Sequence, residues 1–515
     1  MANGLAGIMN NLRHRVFWPP FLLLFVACLL SLTSPDLFLR TVTAMNNWCL
    51  KHLGWAFSLQ AALAVVCCGA LFLSPLGKAK IGGDEAKPFL TRWNWFSITL
   101  CTTVAVGILF WSAAEPLYHF QTLPKTLAAQ PQSAQAALWS QSIMFLHWSI
   151  VPYAFYSIPT VMFALAYYNR KHPFSLRSIL FPFRSLDRDS VGTVVDGLCL
   201  YALVLGMASS LGTGLLTLVG GINDIWGTVT NPFTLGIVCI LIVFAFCVSA
   251  STGLMKGIRI LSDVNAKIFF AMAIFVLIFG STLFIIEIGL EAMGVFLSNF
   301  FKLALYTGGS HGDAWPKSWS IFYWANWLAW APITALFLGK LAYGYTVREC
   351  LLFTWLIPSL FACVWTTIFS GQVLSMQLSG TQDMVKTLGT KGPESIVFEM
   401  FSSLPLGNIV IVGFLMTAFL SYVTAADSNT EALGQISQST TLATAESPDW
   451  RLKVVWGATI GVVAWVMVSF SGIDGIKMLS NLGGVVTLFL IFASSVGLML
   501  LIIDKRSRAD LSPHE

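Results

Sequence analysis

The stretch WANWLAWAPITALFLGKLAYGYTVR, Trp324 to Arg348, lies in an apolar run long enough to cross a bilayer. Such a run ordinarily fills with Leu, Ile and Val, yet this one concentrates indole rings. At about 100° per residue, Trp327, Trp330 and Thr334 fall on one helix face, and Pro332 follows the last indole. Proline lacks an N–H and its ring crowds the carbonyl four residues back, so the spacing predicts a kinked helix and a Leu328 carbonyl without its usual partner. Aromatic faces beside a break in a membrane helix predict a site for a cation that donates no strong hydrogen bonds, with a quaternary ammonium the obvious type. Each desolvated ring contact is worth roughly 2 kcal/mol. The competing reading is a tryptophan at the headgroup boundary or in ordinary packing, and Trp319 and Trp324 suit it.

The remainder of the 515 residues has the same character. The chain is 56% hydrophobic and only 10% charged, with mean hydropathy +0.75, whereas about a quarter of a soluble domain is charged. Runs of about 20 apolar residues lie near 17–33, 53–75, 93–114, 140–168, 193–218, 232–253, 266–290, 318–342, 350–370, 407–427, 453–471 and 481–503, predicting an all-α polytopic membrane protein with twelve spans. Lys and Arg are retained on the cytoplasmic side. With both termini inside, 21 of the 29 basic residues fall there, so the net charge of +5 needs no nucleic acid to explain it. The ten cysteines lie mostly inside the runs and show no C-x-x-C spacing, which predicts packing residues and no metal or redox site. The first run has no clear small-residue cleavage site and reads as a span, not a removed signal.

Residues 1–16 form a short basic arm, and 17–92 carry two nonpolar spans that read as a peripheral pair. In the third span, Gly107 lies mid-membrane and Glu115-Pro116 near the outer end, so this helix is expected to be interrupted there, with Tyr118 beyond the break. The fourth span holds His147, Trp148, Tyr153 and Tyr156. Trp148 and Tyr156 share a face, and His147 is either a proton carrier or a neutral imidazole bonded to a backbone carbonyl. Gly206 to Gly214, GMASSLGTG, predicts tight helix contact. Asp263 and Asn265 lie near the cytoplasmic end of the seventh span, and LEAMGVFLSNFFKLALY after it reads as an amphipathic helix along the outer interface. Spans eight to twelve repeat the plan of three to seven. Two interrupted spans in corresponding positions of two five-helix sets, 93–317 and 318–503, point to an inverted-repeat carrier with its site near the midplane. In the tenth span, Thr424, Asp427 and Ser428 offer oxygens for a small cation or a helix cap. Nothing matches H-E-x-x-H or a Gly-rich phosphate loop, no channel filter or charge ring is visible, and no enzyme is expected.

GILFWSAAEPLYHF, HWSIVPYAFY, GMASSLGTG, KGIRILSDVN, FYWANWLAWAP with KLAYGYTVRE, and VTAADS resemble, in this order, motifs of the betaine/carnitine/choline transporter family over nearly the whole chain. The resemblance implies a leucine-transporter-like 5+5 inverted repeat preceded by two extra helices, usually a homotrimer, in a bacterial-type inner membrane. The implied work is alternating-access transport of carnitine, betaine or choline. By position it assigns Trp148, Tyr118, Trp327 and Trp330 to an aromatic box, with Tyr156, Asn326 and Thr334 near it. Thr334 stands where the sodium-independent carnitine exchangers have Met, and Asn265 where they have Arg. That favours uptake coupled to Na⁺ or H⁺, with Thr424, Asp427 and Asn265 as candidate ion residues, over an ion-independent carnitine/butyrobetaine exchanger. Three departures stand out: Thr424-Ala425-Ala426-Asp427 for T-S-A-D, Thr103 to Gly107 for G-M-G-I-G, and Asn326 where a tryptophan is common. The amide offers a hydrogen bond in place of a π face. Residues 504–515 form a short tail, unlike the long charged tails of osmosensing members, so metabolic scavenging is the expected task.

Overall fold

The computed structural model describes residues 11–104, 107–186, 188–251, 254–438 and 448–504. Most of the terminal arm and tail, the Ala105-Val106 dipeptide and the side chains of Lys256 and Arg259 therefore lie outside the described residues. Among those described, every regular element is helical. We number the long helices α1 (His14–Thr33), α2 (Pro35–Leu73), α3 (Arg92–Val104), α4 (Gly107–Gln121), α5 (Ala134–Trp148), α6 (Ile150–Ala164), α7 (Asp189–Trp226), α8 (Pro232–Ser251), α9 (Leu254–Phe279), α10 (Thr282–Ala304), α11 (Ser320–Leu341), α12 (Ile357–Ser379), α13 (Gly407–Ser437), α14 (450–471) and α15 (473–503). The last two join at Gly472, whose φ of 52° and ψ of −132° end the helix.

Two helices, then a set of five spans, an outer helix and a second set of five account for the twelve expected spans. Lateral contacts give their sidedness. At one end Arg13 pairs with Asp196 at 2.7 Å, Arg92 meets Glu349, and Trp456 Nε1 donates to Ser437 Oγ at 3.1 Å. At the other, Lys125 N donates to Asp313, Trp465 Nε1 to the Pro232 carbonyl and Lys477 to the Ser318 carbonyl. Five crossings are an odd number, so the second set starts from the opposite face and runs inverted to the first.

Both expected proline breaks are displaced. Pro116 lies inside α4 and Pro332 inside α11, and both helices run on through them. The reason is a borrowed donor in each. The Leu328 carbonyl, freed by Pro332 as expected, accepts Thr487 Oγ1 of α15 at 2.7 Å. The Ser112 carbonyl, freed by Pro116, accepts Ser370 Oγ of α12 at 2.7 Å. A hydroxyl from a neighbouring helix re-satisfies the backbone inside the membrane. The discontinuities lie at other points, and the first is at Gly107, the glycine the sequence also marks. The axes of 92–103 and 107–121 differ by 56°, the second set's first helix is interrupted at Trp319 before α11 begins, and the fourth span breaks at Ser149 (φ −112°, ψ −113°) between α5 and α6.

Three boundaries also move. The second helix begins at Pro35, because nothing between Arg40 and His52 breaks the helix despite its polarity. It is not peripheral: Gln60 donates to Ser495 at 3.0 Å and Asn481 to Asn46 at 2.8 Å. The seventh span ends at Phe279, where Gln372 Oε1 takes the N–H of Ser281 at 2.7 Å, and the amphipathic helix starts at Thr282. The helices that carry the tryptophans are the most enclosed. In each of Ala134–Asn169 and Trp315–Leu341, 94% of the apolar window is buried, against 28% in α1.

Candidate functional site

Where α4, the α5–α6 break, α7, α11 and α15 meet, a chamber is lined by Trp111, Trp148, Tyr156, Tyr323, Trp327 and Trp330, with Ser209, Ser210, Thr213 and Asn326 along one side. Trp148 and Trp327 meet edge to face, with centroids 5.2 Å apart and planes at 87°. Tyr156 lies 6.2 Å from Trp327, and Tyr323 5.4 Å from Trp148. The geometry depends on the break in the fourth span. The His147 carbonyl there accepts Trp327 Nε1 at 3.1 Å, pinning the indole with its face toward the chamber. Two glycines make the room. A Cβ on Gly206 would come within 2.9 Å of the Trp330 ring, and one on Gly107 within 3.3 Å of Trp148, so GMASSLGTG seats an indole as well as packing a helix.

The free space between the rings is about 30 Å³, enough for one or two waters and less than a trimethylammonium head. Admitting one requires Trp148 and Trp327 to part. Phe322 is the shared wall between this chamber and a vestibule of about 710 Å³ that contains Asn46, Lys51, Lys317, Asp474, Lys477 and Asn481. In the vestibule the Lys477 ammonium lies 4.0 Å from the Trp319 ring centroid and 5.5 Å from that of Phe322. The protein thus already seats a cation of its own on aromatic faces just outside the chamber.

Of the expected box residues, Trp148, Tyr156, Asn326, Trp327 and Trp330 converge, and two do not. Tyr118 follows a continuous α4 past the chamber and packs on Trp319 at 5.1 Å. Thr334 lies a turn beyond the rings and donates to Asn429 Oδ1 at 2.7 Å. Trp111 and Tyr323 complete the wall instead. Tyr323 is four residues before Trp327 and so on the same helical face, a signal present in the sequence. Trp111 lies four residues after Gly107 on the same grounds. Asn326 Oδ1 accepts Ser480 Oγ at 3.0 Å, and Ser480 pairs with Ser209 at 2.7 Å, giving the chamber a polar corner.

A second buried constellation lies directly behind Trp148. Glu115 Oε2 accepts Trp148 Nε1 at 2.7 Å and the Tyr323 hydroxyl at 2.5 Å. Its Oε1 faces His147 Nδ1 at 2.6 Å and His119 Nε2 at 2.9 Å. His147 Nε2 contacts Ser320 Oγ at 2.9 Å, so this imidazole is not bonded to a backbone carbonyl as one of the two sequence readings has it. Glu115, His119 and His147 are fully buried. Each facing atom is already used by another member, and the set reads as a hydrogen-bond network, not a metal cage. Trp315 covers it from outside, 5.2 Å from His119. Asp313 fixes Trp315: burial raises its carboxyl pKa, but the N–H groups of Trp315 and Lys125 and the Tyr306 hydroxyl outweigh this and hold it below the usual range.

The candidate ion residues lie on two helices, Thr424 and Asp427 on α13 and Asn265 on α9, without converging on one point. Asp427 Oδ2 accepts Ser249 Oγ at 2.7 Å, Asn265 Nδ2 donates to Ser421 Oγ at 2.9 Å, and Thr424 Oγ1 returns to its own helix at the Leu420 carbonyl. Among the described residues, Asp427 Oδ1 and Asn265 Oδ1 are buried without a hydrogen-bond partner. Buried orphan oxygens of this kind fit a hard cation.

A family model described as betaine/carnitine/choline family transporter matches residues 15–506. The chain is 27% identical to an ectoine/hydroxyectoine transporter of Virgibacillus pantothenticus, over 94% of this chain and 96% of that one. It is 28% identical to the glycine betaine transporter OpuD of Bacillus subtilis, over 90% and 89%. Among solved structures, an outward-open Na⁺-coupled sialic acid symporter superposes over 90% of this chain and 87% of its own, with TM-score 0.46 and 13% identity.

Proposed function

Because this chain belongs to the betaine/carnitine/choline transporter family, we propose that it is a secondary transporter of trimethylammonium solutes such as carnitine, betaine or choline, working by alternating access. The observation that carries this is the enclosure of Trp148, Tyr156, Trp327 and Trp330 around one space between the two five-helix sets. Four π faces replace the water around a methylated ammonium, which cannot make use of hydrogen-bond acceptors. The Asn326, Ser209 and Ser480 corner then reads the carboxylate or hydroxyl at the other end. Rings that must part to admit the head and close to enclose it supply the gating that a carrier needs.

The transporter works as a homotrimer in a bacterial inner membrane with both termini inside. Uptake is coupled to a cation, Na⁺ or H⁺, with Asp427 and Thr424 on α13 and Asn265 on α9 as the residues whose oxygens would serve it. Residues 93–317 and 318–503 serve as first repeat and second repeat, with 17–92 as two added helices, the second of which packs on α15.

Counterflow in proteoliposomes against a panel of betaines, under imposed Na⁺ and H⁺ gradients, tests this. Trp327→Leu is expected to lower affinity for every quaternary amine by about thirtyfold, the equivalent of roughly 2 kcal/mol, with folded protein still recovered at a lowered melting temperature because the His147 carbonyl loses its donor. Unaltered binding of all of them in that variant would dismiss the chamber as the site.

A further inference from the structure

The Glu115 network contains more hydrogen-bonding capacity than holding two rings requires. We propose that it is a proton-binding site, with His147 as the acceptor, and that a proton there and a quaternary ammonium in the chamber oppose one another. This inference rests on the chamber being the cation site.

The argument begins with donor counting. Trp148 Nε1 is a donor only, so Oε2 of Glu115 must accept from it, as it does from the Tyr323 hydroxyl, and we take Glu115 as the carboxylate of the proton-free state. Both imidazoles then present N–H to Oε1, which fixes His147 as the Nδ1–H form and His119 as the Nε2–H form. The remaining nitrogens differ. Among the described residues His119 Nδ1 is buried with no partner, and a proton placed on it would be an N–H without an acceptor. His147 Nε2 faces Ser320 Oγ at 2.9 Å. A serine hydroxyl donates or accepts by rotating, so His147 takes a proton at Nε2 with both N–H groups still satisfied. The proton arrives from solvent and returns to it, and no other bond changes. Buried as they are, one imidazolium beside one carboxylate is a neutral pair where a lone negative charge stood.

Other charged and titratable groups face the network without supplying this function. Tyr118 packs on Trp319 beside it. Tyr323 is committed as a donor to Oε2. Lys477, with Asp474 on the same helix, stands over Trp319 on the vestibule side.

The link to the cargo is Trp148, whose indole N–H is on the carboxylate and whose ring is on the chamber. A trimethylammonium head bound there sits about one indole away from the network. It is attracted while the network is negative and loses that attraction once His147 is charged. At an effective dielectric near 20, a unit charge at such a distance changes affinity by about tenfold or more. By linkage, binding the ammonium must expel the proton to the same degree.

The experiment uses the purified full-length protein, with choline as the probe cation followed by isothermal calorimetry and tryptophan fluorescence between about pH 8 and pH 5. Affinity is expected to weaken about tenfold toward acid pH, and repeating the titration in buffers of different ionisation enthalpy should reveal proton release on binding. Ser320→Ala leaves an N–H, not a lone pair, unpaired in the protonated form, and so should move the acid-side loss to lower pH. His119→Gln should leave its position unchanged. His147→Gln should abolish the pH dependence, together with a pH-dependent fluorescence transition expected in the ligand-free protein. Affinity that is flat with pH, or that tightens toward acid, overturns the proposal. Should choline fail to bind at any pH, the chamber reading falls. The ligand-free transition and its loss in His147→Gln then decide whether a proton site is present at all.

Discussion

Helices α4 and α11 open the two five-helix sets, and each carries a proline where the sequence predicts a break. Neither breaks there. In α4 the carbonyl freed by Pro116 takes a hydroxyl from Ser370, and in α11 the carbonyl freed by Pro332 takes one from Thr487. The likeness ends at the side chains. One turn of α4 brings a carboxylate and an imidazole, Glu115 and His119, into a fully buried site, while α11 brings Tyr323, Trp327 and Trp330. One helix contributes charge and the other π faces, and they join where Tyr323 and Trp148 donate to Glu115. At both prolines the freed carbonyl is taken by a hydroxyl of a neighbouring helix, and the helix continues. The real discontinuities, at Ser149 and Trp319 and between 104 and 107, are what bring the two helices' side chains to one place.

The largest effect should come from cutting the join. Glu115→Leu leaves the donors of Trp148, Tyr323, His119 and His147 buried without their acceptor, at about 1–3 kcal/mol each, and is expected to abolish recovery of folded protein by size-exclusion chromatography. Normal yield and melting temperature in that variant would mean that the two helices do not depend on one another. Next come the paired hydroxyls. Ser370→Ala and Thr487→Val should each cost about 1–3 kcal/mol by stranding one buried carbonyl, seen as similar drops in thermal midpoint. A marked inequality between them would break the equivalence of the two prolines. Smallest in stability is Asp427→Asn, away from the join, which should shift the midpoint by less than about 1 kcal/mol because one carboxylate oxygen already lacks a partner. Its signature is loss of the ion-gradient dependence of uptake, and a wild-type ion response would remove Asp427 from the coupling residues.

Much of this was legible in the primary structure, for reasons that can be named. Indoles at i and i+3 before a proline must share a face whatever surrounds them, and Trp327 and Trp330 do line one chamber. A carbonyl four residues before a proline must lose its helical donor, and Leu328 did. Tyr118 lies beyond the discontinuity at Gly107, but α4 runs on through Pro116 and carries it onto Trp319 and off the chamber. Thr334 was misplaced because a shared helix face does not give height along the helix relative to the other walls.

The sequence by itself determined the all-helical membrane character, the two sets of five and the indoles Trp148, Trp327 and Trp330 of the aromatic wall. Hydropathy, residue spacing and the missing proline N–H are local properties of a covalent chain. Only the tertiary structure decided which carbonyls are rescued, where the helices give way, and that Glu115, His119 and His147 meet behind Trp148. Those outcomes depend on partners far away in sequence: Ser370 is 258 residues from Ser112 and Tyr323 is 208 from Glu115. No local rule specifies which hydroxyl or hydrogen-bond donor will arrive at a buried acceptor.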